Sequence, residues 1–351
     1  MRLRRPSLFV SLLVATLAVG LAPSAWSDAG TRTGSFTALS YNVAGLPEAL
    51  SGSDPATNSP LISPLLNAYD LVLLQEDWAD HLHDAREAGL VGDEVPPFMY
   101  HHLVVGDADH PYRSEPARHP YGVEVRRGAS GPTLLSDGLN RLSRFAFGPL
   151  TREMWEDCYG DLAYVVGEEV LGASGLDDVL IDAGLGAVND EVDGGKSDCA
   201  AQKGFSMART ELAPGVTVDV YNLHADAGGG ERDQEARVDN YAQLAAFVNE
   251  HSAGRAIILG GDTNLKIDNP DRKLDAEVWS DFLATTGLVD VCQALTCHDD
   301  DISIDKFAFR SAKGLEVIPQ THSFERDTFV DGDGEPLSDH DPLAVRFRWV
   351  A

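Results

Sequence analysis

Apolar and polar positions along the chain repeat one arrangement: a short apolar run followed at once by residues able to bind metal or phosphate. SFTALSYN sets Phe36, Ala38 and Ser40 against Leu39 and Tyr41, as the two faces of a strand, and then reaches Asn42. YDLVLLQED is a continuous apolar run, the pattern of a strand covered on both faces, and it ends in Gln75, Glu76 and Asp77. VTVDVYNLHADAG alternates Val216, Val218 and Val220 before delivering His224 and Asp226. RAIILGGDTN ends in Gly260, Gly261, Asp262 and Asn264. DISIDKFAF carries Asp305 inside a strand-like stretch, and SDHDP stands directly before the terminal LAVRFRWV. Polar groups at the ends of several strands converge naturally on one edge of a sheet.

Between two of these strands, ERDQEARVDNYAQLAAFVNEHSAG brings Val238, Tyr241, Leu244, Ala245 and Val248 round at helical spacing, with Gly254 as a stop. It reads as a packing helix, which makes Tyr241 and Phe247 core or flanking residues rather than ligand contacts. Strands alternating with helices, and motifs spread from Asn42 to His340, predict one large α/β domain over residues 28–351. Two stretches read as insertions. Residues 110–127 contain Arg113, Arg118, Arg126 and Arg127 with HPY written twice, either a solvated loop or a substrate-recognition loop. Residues 160–195 hold nine acidic residues and no Lys or Arg, which predicts an exposed acidic lobe, with calcium binding as the alternative. DGDGE at 331–335 begins like a calcium loop but lacks the later ligands, so it reads as a turn.

The first thirty residues change where this domain is expected to work. A basic start, an apolar run from Leu8 to Ala22 and small residues at Ala25 and Ser27 are the three parts of a secretory signal, with cleavage expected after Ser27. A membrane anchor is the competing reading, and the run falls short of the ~20 residues a spanning helix needs. The formal charge of −29 weakens the case for a nucleic-acid binder working through a broad basic face, and it does not exclude a nuclease whose bound metal reverses the local field. In an exported chain, four cysteines point to disulfides, and three pairings are possible. Proximity favours Cys292 with Cys297 and leaves Cys158 with Cys199. Zinc is the rival, but the spacing matches no common zinc pattern.

Glu76, Asp262 and Asp339, with Asn42 and Asn264, form an oxygen-rich set suited to a hard cation, Mg²⁺ with Mn²⁺ as a substitute. Such a cation favours phosphate chemistry. Phosphodiester hydrolysis needs a base to activate water, positive charge against the phosphoryl oxygens and help for the leaving group. His340 is the better base candidate because carboxylates surround it in sequence, and Asp305 is a candidate to hold its other ring nitrogen. His224 would then donate to the phosphate.

The ordered set SYN, LLQED, YNLHADAG, GGDTN, IDKF and SDHDP resembles the endonuclease/exonuclease/phosphatase superfamily, the DNase I-like metal-dependent phosphoesterases, across almost the whole mature chain. The resemblance implies a four-layer α/β/β/α sandwich with a catalytic site along one edge. It also implies roles for single residues: Asn42, Glu76 and Asp339 on the metal side, and Asp262 and Asn264 orienting water and phosphate. His224 matches the phosphate-binding histidine, His340 the base, and Asp305 the acid that orients it. DGLNRLSRFAF, then Cys158, Cys199 and KGFSMARTEL, is similar to secreted bacterial sphingomyelinases, and by that similarity Asn140 and Lys203 belong to the phosphate site. Two features depart from that group. Between GDTN and SDH no aromatic membrane-binding hairpin is evident, only Trp279 and scattered Phe, and Lys306 replaces the common aromatic after the strand aspartate.

These readings lead to a secreted, extracellular, monomeric Mg²⁺-dependent phosphodiesterase of the sphingomyelinase or phospholipase C type. Its substrate would be a phospholipid or related small phosphodiester, with transient contact to a membrane surface. An extracellular nuclease drawing phosphate contacts from the Arg113–Arg127 patch is the alternative. A binding protein on a degenerate phosphoesterase fold is the third, and it predicts lost motif residues where none is lost.

Overall fold

The computed structural model describes residues 31–46, 51, 53–79, 99–117, 135–159, 198–297 and 303–351, and Thr33–Ala351 forms one compact unit. The leader, the acidic stretch 160–195 and Arg118, Arg126 and Arg127 lie outside the described residues. A first six-stranded sheet is built from β1 (Thr33–Asn42), β2 (Leu71–Gln75), β3 (Tyr112–Arg113), β4 (Asn140–Ser143), β11 (Glu316–Phe324) and β12 (Leu343–Val350), in the order β11-β12-β1-β2-β4-β3. A second sheet runs β5-β6-β7-β8-β10-β9. Its strands are β5 (Thr151–Met154), β6 (Gly204–Ala213), β7 (Val216–His224), β8 (Ile257–Asp262), β9 (Val289–Asp290) and β10 (Asp305–Arg310). Each sheet has one parallel pair near its centre, β1 with β2 and β7 with β8, and both pairs point their C-terminal ends at the same edge.

The period of two in each strand sorts side chains into layers. Phe36 and Ala38, Leu71 and Leu73, Val216, Val218 and Val220, Ile258, Phe307, and Leu343, Val345 and Phe347 face the space between the sheets and form one buried cluster. The opposite parity faces outward. Leu39, Tyr41, Val72 and Leu74 meet Ile62 and Leu66 of the segment that begins with α1 (Pro55–Leu65). Behind the second sheet, Tyr221, Leu223, Ile257 and Leu259 pack on α3 (Glu231–His251) and α4 (Lys273–Thr286), which follow the short α2 (His101–Val104) and precede α5 (Val291–Leu295). The result is helix, sheet, sheet, helix, the four-layer arrangement expected. At Gly260 the inter-sheet space leaves no room for a side chain, since a Cβ there would lie 2.4 Å from the Phe307 ring.

Val238 corrects a local expectation, while the turn at 331–335 and both disulfide pairings match theirs. Val238, placed on the packing face, is exposed, because that face belongs to Ala236, Arg237, Asn240, Tyr241, Leu244, Ala245 and Val248. Arg237 and Asn240 are inside because they have buried partners: Arg237 bonds Asp275 and three carbonyls from Asp226 to Gly228, and Asn240 bonds the Asp157 carbonyl and the Asp226 amide. Arg113 has a structural role, since its guanidinium donates to the carbonyls of His110, Val105 and Ala108 and staples its own loop. Trp279 is core, with Nε1 bonded to Asp290 at 2.9 Å. The 331–335 segment is a polar turn in which Asp331 accepts from the amides of Asp333 and Glu335. Both disulfides form, Cys158 with Cys199 and Cys292 with Cys297.

Candidate active site

The inward-facing columns change character as they approach the common edge. Phe36, Ala38 and Ser40 lead to Asn42, Val220 and Asn222 to His224, Ile258 and Gly260 to Asp262, and Phe307 to Asp305, so the inter-sheet core becomes a polar site at its upper end. Just beyond three strand ends the backbone turns left-handed at non-glycine residues: Ala44 (φ 47°), Glu76 (φ 53°) and Asn264 (φ 52°). Such steps cost energy and cluster where a side chain must leave the regular alternation. Glu76 follows Gln75, which already faces inward, and the left-handed step accompanies a turn of its carboxylate toward Asn42.

Asn42 lies at the hub. Its Nδ2 is 3.1 Å from Glu76 Oε1, 3.2 Å from Asp262 Oδ2 and 3.3 Å from His340 Nε2, while its Oδ1 accepts from the Ala44 amide. His340 Nδ1 is 2.8 Å from Asp305 Oδ2, and its Nε2 is 3.6 Å from Asp262 Oδ2. His224 Nε2 is 3.3 Å from Asp262 Oδ2 and 3.8 Å from Glu76 Oε1. Asp262 Oδ1 accepts from the Asn264 amide, and Asn264 Nδ2 is bonded to the Ala225 carbonyl. Seven of the ten predicted site residues therefore meet in one cluster drawn from both sheets.

The other three border it. Lys203, buried just before β6, is paired with Asp198, and its charge acts on Glu76 and His224. Asn140, buried at the start of β4, donates to the Asp77 carbonyl at 2.6 Å and to Asp77 Oδ2 at 2.9 Å. Asp339 is exposed on the rim, accepts from Ser338 Oγ at 3.3 Å, and adds negative charge felt by Glu76 and His340.

Burial and crowding set the protonation states. Glu76 is pushed up to about 7, mainly by burial and also by Asp339. Asp305 is raised to about 6 by burial, with His340 opposing, so it is ionised at neutral pH. Burial works against a charged His340, yet Asp305, Asp262 and Asp339 outweigh it and hold the ring well above the ordinary histidine range. His224 lies well below that range through burial and the nearby charges of Lys203 and His340, so it is neutral and its Nε2–H can donate.

The motif reading assigned no role to several residues beside the cluster. Asp77 holds His101 Nδ1 at 2.7 Å, and Arg152 pairs with buried Asp137. His101 stands at the start of α2 with no strand-end signal, so only the structure finds it. Gln75 and Asn222 stood inside quoted motifs, where their inward parity was the available signal. Asp226 is structural, its carboxylate accepting from the Tyr159 amide.

No protein-family model matches the chain. Sphingomyelinases of Mycobacterium bovis and Mycobacterium tuberculosis are each 29% identical over 343 residues, covering 92% of this chain and 54% of the relative. The chain thus spans about half the length of the curated relatives it matches. Among solved structures, a beta toxin of Staphylococcus aureus superposes with a TM-score of 0.51 over 88% of this chain and 99% of the other, at 15% identity. An endonuclease/exonuclease/phosphatase of Beutenbergia cavernae gives 0.52 over 90% and 71%, at 14% identity. The fold is that of the endonuclease/exonuclease/phosphatase, or DNase I-like, proteins. Over the length of the sequence, the similarity is to sphingomyelinases.

Proposed function

We propose that the chain is a secreted, metal-dependent phosphodiesterase that cleaves the headgroup of a sphingomyelin-type phospholipid or a related small phosphodiester. The observation that carries this reading is the convergence of Asn42, Glu76, His224, Asp262, Asp305 and His340 from two sheets on one small volume. Similarity to sphingomyelinases narrows the substrate class.

The donor set fits a hard divalent cation. It is rich in oxygen, and Glu76, hydrogen-bonded to Asn42, is a buried carboxylate whose ionised form burial and the charge of Asp339 disfavour, a deficit that a cation would offset. Asn42, Glu76 and Asp339 would hold the ion. When bound, Mg²⁺ or Mn²⁺ would supply the positive charge that neutralises phosphoryl oxygens and makes water more acidic. Neutral His224 donates through Nε2 to a phosphoryl oxygen, and Lys203 lends positive charge beside it. Asp262 and Asn264 orient water and phosphate. His340, with Nδ1 held by Asp305, presents Nε2 as the atom that takes the proton of the attacking water. Because its neighbours favour the imidazolium, the ring must first lose its own proton, so the rate should rise toward alkaline pH.

Purified mature protein should be assayed on sphingomyelin, glycerophospholipids, inositol phosphates and plasmid DNA, each with Mg²⁺ and with chelator. Cleavage of sphingomyelin or a glycerophospholipid only with metal is the expected result. DNA cleavage alone would install the nuclease reading, and inactivity on every substrate would favour a binding protein. Among the described residues no helix is long and apolar enough to cross a membrane. Export is tested by the N-terminal sequence of protein recovered from culture medium, expected to begin after Ser27.

A further inference from the structure

One layer below the site, the space between the sheets stops being apolar. Ser40, Gln75, Arg141, Ser206 and Asn222 are all fully buried there. Asn222, from the second sheet, reaches across to the first. Its Oδ1 accepts from Gln75 Nε2 at 2.7 Å, and its Nδ2 donates to the carbonyls of Leu74 at 2.9 Å and Asn140 at 3.1 Å. Arg141 reaches the other way, donating to the Val220 carbonyl at 3.2 Å and to Ser206 Oγ at 3.1 Å. Ser40 Oγ completes the row at 3.3 Å from Gln75 Nε2. We infer that this reciprocal clasp, centred on Asn222 and Gln75, is a positioning device that fixes the register of one sheet against the other and thereby the cross-sheet geometry of the metal and phosphate ligands.

The physical reason lies in what each kind of contact can specify. Apolar packing between the lower layers is strong but non-directional, and it tolerates a small slide of one sheet over the other. A hydrogen bond weakens steeply when its angle is lost, so five or six of them across the interface resist that slide. The cluster above needs such resistance, because Asn42 and Glu76 belong to the first sheet and its exits while His224, Asp262 and Asp305 belong to the second. Its cross-sheet distances, 3.2 Å from Asn42 to Asp262 and 3.8 Å from Glu76 to His224, are set by where the sheets lie relative to each other. Gln75 precedes Glu76 by one residue and Asn222 precedes His224 by two, so the clasp acts at the nearest point outside the site itself. Its buried polar groups cost desolvation if left unpaired; Gln75, Asn222, Arg141 and Ser206 bond across the interface, and Ser40 bonds Gln75 within the first sheet.

The inference rests on the metal-dependent reading, and its test separates the two. The double variant Gln75→Leu with Asn222→Leu replaces both partners of the central bridge by apolar groups of similar size, which confines the cost in stability mainly to the Leu74 and Asn140 carbonyls that lose the Asn222 donor. Crystal structures of wild type and variant are compared at Asn42–Asp262 and Glu76–His224, and Mn²⁺ binding is titrated by electron paramagnetic resonance with melting temperature as the control. The expected result is a folded variant whose two cross-sheet contacts are displaced and whose Mn²⁺ affinity falls about 10- to 100-fold, the loss typical of removing groups that orient metal ligands. Unchanged contacts with unchanged affinity overturn the inference. Wild type that binds no Mn²⁺ would sink the metal reading alone, since the variant's cross-sheet contacts still decide the clasp. Should the double variant not fold, Gln75→Met removes only the side-chain bridge and is expected to displace the same contacts less; an unmoved site in that variant also counts against the clasp.

Discussion

Without a bound cation, Glu76 should be a liability to the fold, and removing its charge should stabilise the protein. The ordinary value for such a carboxyl is 4.5 and burial pushes Glu76 to about 7. At ~1.4 kcal/mol per pH unit, holding the carboxylate ionised in the folded protein costs about 3 kcal/mol. The side chain is 18% exposed, so solvent screening takes only a small part of this. For a raised pKa, the associated stability is complete below the unfolded value of 4.5 and is lost as pH rises through about 7. Glu76→Gln keeps an oxygen for Asn42 and mimics the protonated carboxyl at every pH. In chelator at about pH 8 the variant should therefore exceed wild type by roughly 3 kcal/mol, and near pH 4 the two should coincide. Mg²⁺ should reverse the order, raising wild type through linkage while barely moving the variant. Urea unfolding midpoints, with and without chelator at the two pH values, measure all four states. A variant no more stable than wild type in chelator at the higher pH would refute the claim that the site is electrostatically crowded.

Four further outcomes follow from the same structure. Chelation should abolish hydrolysis and Mg²⁺ or Mn²⁺ restore it, while His340→Ala should lower kcat by at least ~10²-fold with little change in KM; near-normal turnover in that variant would move the base elsewhere, with His224 tested first. His110, buried with Nε2 2.8 Å from the Tyr69 carbonyl, is held below its ordinary 6.5 mainly by burial, so the stability it contributes as a neutral ring is present above 6.5 and lost as pH falls through its lower folded value. His110→Gln should flatten that part of the acid limb in urea titrations, and an identical limb would place the acid sensitivity in another group. Cys199→Ser opens a bridge spanning 41 residues, which should cost roughly 4 kcal/mol by loop-closure entropy and lower the melting temperature.

Strand ends were the legible part of this protein, and the reason is geometric. A period of two tells which face a residue occupies, so an apolar column that ends in Asn42, His224 or Asp262 announces a polar group facing inward at an edge. That Asn42 and His340, 298 positions apart, lie within hydrogen-bonding reach is not a local property, and only the ordered resemblance anticipated it. Local rules failed where a polar residue takes a buried place. Arg237 and Asn240 displace Val238 from the inner face of α3, because the loop 226–228 before the helix and the more distant Asp275 and Asp157 supply them with partners. Gln75, Asn222 and Arg141 sit at inward positions where alternation alone predicts apolar side chains. Arg113 shows the converse: its carbonyl partners, all in its own loop, give a basic residue a structural role that the sequence pattern did not signal.

Charge placement bears on which phosphodiester suits the site. A chain of formal charge −29 repels polyanions at long range, over a distance of about 10 Å at 0.1 M salt, so attraction must come from charges inside the cleft. Among the described residues those charges are few and buried, chiefly Lys203 beside Glu76 and the His340 ring beside Asp305. The outer segment adds no help, since Asp339, Asp333 and Glu335 are exposed there and Arg326 is paired with Asp341 at 2.7 Å. A DNA strand would have to lay several phosphates along that acidic rim while only one reached the centre. A lipid headgroup brings a single phosphate and, in sphingomyelin, a quaternary ammonium that an acidic rim attracts. The same acids that weaken the nuclease reading thus favour a zwitterionic substrate.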